Sequence, residues 1–220
     1  MGLHLNFDLR LDASTPAAAV HAMLADLYAH ATTLPFERVS PFIAPAYADS
    51  EEQQAHLDEL QRWASIIAEA IEYDATPLTG DTSLARGFFV HPGRGCESAS
   101  FGLFPRLDAS GATMDWYWHC SCKTQYASAV SDAHLIACHT GLVRLIDLAV
   151  QIGFQVEVRD ETHYWETRDE SRLLKEVHAM NWIVAAFAGR MSDAVGSAHR
   201  LESPIFDHPR FERLEMGEDG

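Results

Sequence analysis

The sequence predicts an α+β protein with an antiparallel sheet and helices packed on one of its faces. Two observations carry this. The main strand-like stretches alternate apolar and polar residues, so one sheet face is solvated, whereas a doubly wound parallel sheet reads as continuous apolar runs. The elements also run strand, helix, extra helix, meander, helix, strand, helix, which without its additions is β-α-β-β-α-β, the split βαβ order of ferredoxin-like folds.

From Leu3 to Leu11 the odd positions are Leu3, Leu5, Phe7, Leu9 and Leu11, and the even ones His4, Asn6, Asp8 and Arg10. That is period two, a strand with one wet face. Thr15 and Pro16 supply an N-cap and a proline at the first helical position, and Val20, Leu24, Leu27 and Ala31 form the buried stripe of the helix. Residues 34–49, with Pro35, Pro41 and Pro45, read as an irregular connection. Ser50 and Gln53 make a capping box for a second helix buried along Leu57, Leu60, Ala64, Ile67 and Ile71, which TPLTGD after Tyr73 breaks.

Residues 85–126 read as an antiparallel meander: ARGFFVH, the turn PGRG, ESASFGLFP, the turn LDASGAT, then the strand through WYWHCSCKTQY. Asp132 can cap a third helix carrying Leu135, Cys138, Leu142, Leu145, Ala149 and Ile152, with Gly153 to stop it. FQVEVRD is the last sheet strand. A helix from about Asp169 to Val195 buries Leu173, Val177, Met180, Val184, Phe187 and Met191. We expect one domain over 1–202, and an extended tail over 203–220 pinned by Phe206 and Phe211.

The balance of 16 basic against 32 acidic residues, a formal charge of −16, opposes nucleic acid and anionic lipid. It leaves a basic protein partner or a polar small molecule as the expected partner. The N-terminus lacks a secretory pattern and no apolar run nears the ~20 residues that span a bilayer, so the expected location is the cytoplasm. No Gly-rich nucleotide motif, H-E-x-x-H or G-x-S-x-G occurs, so no cofactor is expected from those signatures.

The residues Trp116–Tyr126 hold the candidate chemistry. Alternation puts Met114, Trp116, Trp118, Cys120, Cys122, Thr124 and Tyr126 on the core face, and Tyr117, His119, Ser121, Lys123 and Gln125 on the open one. If the first strand lies alongside, Asp8 and Arg10 join them, and His119, Lys123, Tyr117, Gln125, Asp8 and Arg10 become the expected ligand-binding set, flanked by Glu157 and Arg159. The plainer reading is an ordinary solvated sheet face.

The sulfurs allow two further readings. Cys120, Cys122, His134 and Cys138 would compose a Cys3His zinc tetrad, although the spacing matches no common knuckle and the expected state is four reduced, metal-free cysteines. Cys122 with His139 would be a thiol nucleophile and its base. DETHYWETRDE offers acids and aromatics for a cationic group or a sugar, and HPGRG a small anion-binding turn; helix-end charge and a hairpin turn explain both as well. The leading expectation is an acidic binding protein without a catalytic role, and the rival is a small-molecule enzyme using His119 and Lys123.

Overall fold

A computed structural model describes residues 2–45, 48, 50–72, 79–195, 205, 208, 209 and 211. The strands are β1 (Leu5–Asp12), β2 (Arg38–Val39), β3 (Thr79–Gly80), β4 (Arg86–His91), β5 (Ala99–Leu107), β6 (Thr113–Cys122) and β7 (Gln155–Asp160). The helices are α1 (Ala17–Ala31), α2 (Glu51–Glu72), α3 (Asp132–Ile152), α4 (Tyr164–Thr167) and α5 (Glu170–Val195). The sheet is antiparallel in the order β2-β4-β5-β6-β1-β7, with β3 pairing β5 beside that path, which makes the chain an α+β single domain. Strands β5, β6, β1 and β7 stand in the order a split βαβ unit requires. The segment between α1 and β5 adds α2 and three strands, so what the architecture shows is the α+β class and not the ferredoxin-like fold itself.

The alternation of β1 produces its burial directly: Leu5, Phe7, Leu9 and Leu11 are buried, and the residues between them are not. They pair with Cys122, Cys120, Trp118 and Trp116 of β6. Val20, Leu24 and Leu27 of α1 and Leu142, Leu145 and Ile146 of α3 join the same core. Met114, expected in that core, is exposed where the β5–β6 register shifts, between the pairs Arg106–Asp115 and Leu107–Thr113.

α2 does something else. Phe104 pairs with Tyr117 and so points to the second sheet face, where its ring lies by Gly80 and Ala68 of α2. Leu57, Leu60, Ala64 and Ile67 of α2 are buried there as their spacing predicts; the side chain of Ile71 lies outside the described residues. β5 is consequently buried on both faces from Ala99 to Pro105.

β5 also changes partners. Ala99–Leu103 pair with β4, and Phe104–Leu107 pair with β6. Where β5 has turned to β4, side chains of β6 take its backbone groups. The Ser100 N–H donates to Cys120 Sγ at 3.3 Å, and Trp118 Nε1 donates to the Ser100 carbonyl at 3.1 Å. Gly102 makes room for the indole, since a Cβ there would lie 3.0 Å from Trp118 Cε3. The aromatic and sulfur-rich strand is thus the filler of a divergence in the sheet.

The helix ends shift by one residue from the sequence reading. Pro16 and not Thr15 precedes α1, and Ser131 and not Asp132 caps α3, its Oγ accepting from the His134 N–H at 3.0 Å. Ser50 and Gln53 bond reciprocally at 3.1 and 3.2 Å, and Gly153 ends α3 in the left-handed region at φ 115°. Ser131→Ala is expected to cost about 1 kcal/mol in urea titration, because it leaves an orphan N–H at the helix start.

α5 spans Glu170–Val195 with Leu173, Val177 and Val184 buried, but Phe187 and Met191, expected in its stripe, are exposed. Asn181, Ala185 and Ala188 are buried there. Ile205 packs with Val184, Ala185 and Ala188, and Phe211 lies against them; Phe206 and most of the expected tail lie outside the described residues. α3 alone among the described helices is long and apolar enough to cross a membrane, and half of that window is buried, as in the core helix of a soluble protein.

Candidate functional site

The second sheet face is open over β6, β1 and β7. The register places Asp8 opposite both His119 and Glu157, and Arg10 opposite Tyr117. His119 Nδ1 lies 2.8 Å from Asp8 Oδ1; a carboxylate only accepts, so Nδ1 carries the proton and Nε2 is left as the acceptor. Arg10 donates to the other Asp8 oxygen at 3.2 Å and lies 3.9 Å from Glu157. Tyr117 places its hydroxyl beside Asp8 as well. Its ring lies between the guanidiniums of Arg10 and Arg106, 5.2 and 4.4 Å from its centroid, and Arg106 is held in a fork by Asp115.

Burial raises the Asp8 carboxyl, but the hydrogen bond and charge of His119, with the bonds from Tyr117 and Arg10, outweigh it and hold the group below the usual carboxylate range. Burial and the neighbouring Asp8 charge push the Tyr117 hydroxyl up to about 12. Asp8 is therefore a fixed anion at neutral pH and Tyr117 a fixed donor. The His119 side chain stays 43% exposed while that of Asp8 is 19% exposed, so the imidazole is the part of the cluster that a ligand meets.

Two hollows adjoin His119. One, of about 280 Å³, is polar and lined by Asn6, Asp8, Tyr117, Glu157, Arg159 and Glu161. The other, of about 460 Å³, runs between α2 and the sheet and is largely apolar, with Trp63, Ile66, Ile67, Ala70 and Phe89 in its walls. Trp63 and Ile66 remain 42% and 47% exposed. Glu59, Glu97, His119 and Ser121 also line this hollow. His119 lines both hollows.

The structure brings together four of the six expected ligand-binding residues, Asp8, Arg10, Tyr117 and His119, and places the other two outside that cluster. β6 ends at Cys122, and the chain then turns into a 3-10 helix at Gln125–Ala129. Gln125 is buried, bonding Asn181 at 2.7 Å and the Leu3 N–H at 2.8 Å. Lys123 ion-pairs with Glu97 at 3.7 Å and its own N–H bonds the same carboxylate. It does not extend the His119 cluster along a continuing strand.

The tetrad does not assemble. Cys120 Sγ accepts from Ser100 and Cys122 Sγ donates to the Glu97 carbonyl at 3.2 Å, whereas Cys138 lies 3.6 Å from His134 Nε2 and beside Cys96. Among the described residues no group of three or more His, Cys, Asp or Glu side chains is placed to hold a metal. Nor does His139 serve Cys122. Its Nδ1 accepts from Thr124 Oγ1 at 2.9 Å and its Nε2 donates to Asp160 at 3.1 Å. Burial pushes the Cys120 thiol up to about 11 and raises Cys122 well above its ordinary value, which leaves both protonated and inert.

Thr124, His139 and Asp160 follow the hydroxyl–imidazole–carboxylate order of a nucleophile and its base. All three are buried, and the Asp160 carboxylate also accepts from the Thr162 N–H and hydroxyl and from the Trp165 N–H. The order here ties α3 to the end of β7. DETHYWETRDE thereby divides: Asp160 is structural, while Glu161 accepts from the His4 N–H at the edge of the polar hollow. In HPGRG the Arg94 carbonyl is the working group, bonded by His134 Nε2 at 3.0 Å. The groove along α2 is the part that sequence reasoning missed. No protein-family model, no curated protein and no solved structure matches this chain.

Proposed function

We propose that this is a cytosolic binding protein whose site is the groove between α2 and the sheet, holding a partner that combines an apolar segment with a basic group. The observation that supports it most is a single half-exposed histidine that lines both an apolar groove and a carboxylate-bearing hollow. Trp63, Ile66 and Phe89 offer area for apolar contact. Glu59, Glu97, Glu157 and Glu161 outnumber Arg159 around the two hollows, and the chain's net charge of −16 draws a basic partner in. His119 Nε2, without a partner among the described residues, accepts a hydrogen bond where the two parts meet.

The test is calorimetric titration with two short peptides of equal hydrophobicity, one carrying Lys and Arg and one carrying Asp and Glu. The basic peptide is expected to bind, to weaken with salt, and to lose about tenfold or more in affinity with Trp63→Ala, a substitution of a half-exposed residue that leaves stability nearly unchanged. His119→Ala is expected to weaken the same binding several-fold. Equal binding of both peptides, or of neither, would overturn the reading.

A second reading rests on a different observation. A carboxylate that fixes Nδ1–H of a half-exposed imidazole and leaves Nε2 toward a hollow is the arrangement of a general base. In that case a turnover assay on groove ligands would show a rate that is lost with His119→Ala.

A further inference from the structure

The segment before β5 meets α3 at two sulfurs. Cys96 is partly exposed and Cys138 buried, and Cys96 packs against the apolar cluster that contains Cys138, beside its sulfur. A tight turn brings them together: the Cys96 N–H donates to the Gly93 carbonyl at 3.0 Å. Gly93 itself lies so close that a Cβ there would sit 2.8 Å from Cys138 Sγ and 2.8 Å from His134 Cε1. His134 Nε2–H points at the Arg94 carbonyl and lies 3.6 Å from Cys138 Sγ, placing a donor beside that sulfur. Neither Cys120 nor Cys122 has such a companion. They sit two apart on one strand face with parallel Cβ directions, which is poor geometry for a mutual bond.

We propose that Cys96 and Cys138 are a dithiol that closes to an intramolecular disulfide when it meets a low-molecular-weight disulfide such as oxidised glutathione. Cys96, the accessible member, attacks one glutathione sulfur as its proton passes to Cys138. The glutathione S–S bond breaks, one glutathione thiolate leaves, and a mixed disulfide remains on Cys96. Cys138 then loses that proton to the departing thiolate and attacks Cys96 Sγ, expelling the second glutathione. The protein gives up two electrons and two protons, and one oxidised glutathione becomes two reduced ones. The Cys138 thiol, drawn down to about 7 chiefly by its Cys96 neighbour, is the sulfur able to take that proton in the first step near neutral pH. The product joins the start of β5, beside Glu97 of the groove, to α3.

The full chain would be equilibrated over a series of oxidised-to-reduced glutathione ratios, quenched in acid, alkylated after unfolding, digested and mapped by mass spectrometry. The expected result is one linked peptide pair containing Cys96 and Cys138, rising with the ratio, with Cys120 and Cys122 recovered as alkylated thiols. Cys138→Ala is expected to stop the reaction at glutathione on Cys96, and Cys96→Ser to give no linked pair. Glutathione resting on Cys96 of the unmodified sequence with Cys138 free would overturn the proposal. So would both thiols surviving the most oxidising ratio, or a link that uses Cys120 or Cys122. The unmodified sequence decides the matter even where a variant folds poorly.

Discussion

Asp160→Ala is expected to lower stability by about 3–5 kcal/mol in urea unfolding, because it removes a buried carboxylate shared by several donors and leaves each of them unpaired, at about 1–3 kcal/mol apiece. The side chains of His139 and Asp160 are 1% and 0% exposed. The carboxylate satisfies His139 Nε2, two groups of Thr162 and the Trp165 N–H together. Asp160→Asn is the milder variant, at about 1–3 kcal/mol. It retains one acceptor for Thr162 but turns an NH2 toward the remaining donors. His139 can shift its proton to Nδ1 and Thr124 can rotate to accept it, yet the Trp165 N–H has no such remedy.

The same site fixes a pH dependence. Burial raises the Asp160 carboxyl, but the His139 bond and charge and the Thr162 bonds overcome it and hold the group at about 2 against an ordinary 3.8. The folded value lies below the unfolded one, so this stabilisation is complete above pH 3.8 and is lost as pH falls toward 2, a contribution of about 2 kcal/mol. The acid limb of the stability curve should flatten in Asp160→Asn. A loss under 1 kcal/mol for Asp160→Ala, with an unchanged acid limb, would mean that the network is not what ties α3 to β7.

Much of this was legible in the chain before its structure, and the reasons are local. Strict alternation in Leu3–Leu11 and Trp116–Cys122 identifies the core face of β1 and β6, and hence the face on which Asp8, Arg10, Tyr117 and His119 meet. His139 was not settled by spacing, since one residue past Cys138 it could face either the sheet or a helix edge; the structure buries it. The end of β6 was not legible. Thr124 and Tyr126 continue the alternation without a glycine or proline to mark a turn, and what bends the chain is a bond from Gln125 to Asn181, 56 residues away. The groove was hidden for a related reason. Its one local sign is the near-unbroken run of small and apolar residues from Ala99 to Pro105, the mark of a strand covered on both faces, and it says nothing about which helix does the covering.

The divergence of β5 from β6 leads to the second large expected effect. Trp118→Ala is expected to cost about 3–5 kcal/mol, read as a lowered urea midpoint, because it empties the space of a wholly buried indole. Two terms act together. The cavity forfeits contacts with Phe104, 6.2 Å away edge to face, and with the floor at Gly102. The Ser100 carbonyl also loses its Nε1 donor at 3.1 Å, at a place where β5 has turned to β4 for its backbone pairing. Trp118→Phe separates these terms: it keeps most of the apolar filling, removes the donor, and is expected to cost about 1–3 kcal/mol. The consequence for binding follows from position, since Ser100 lines the groove beside Glu97, Ser98 and His119. Loss of the indole frees the β5 backbone to move toward β6, so Trp118→Ala should weaken the basic peptide as well as the fold. Trp118→Phe should weaken chiefly the fold. If Trp118→Phe proved as damaging as Trp118→Ala, the hydrogen bond to Ser100 would be what holds the divergence open, and the volume of the ring would be secondary.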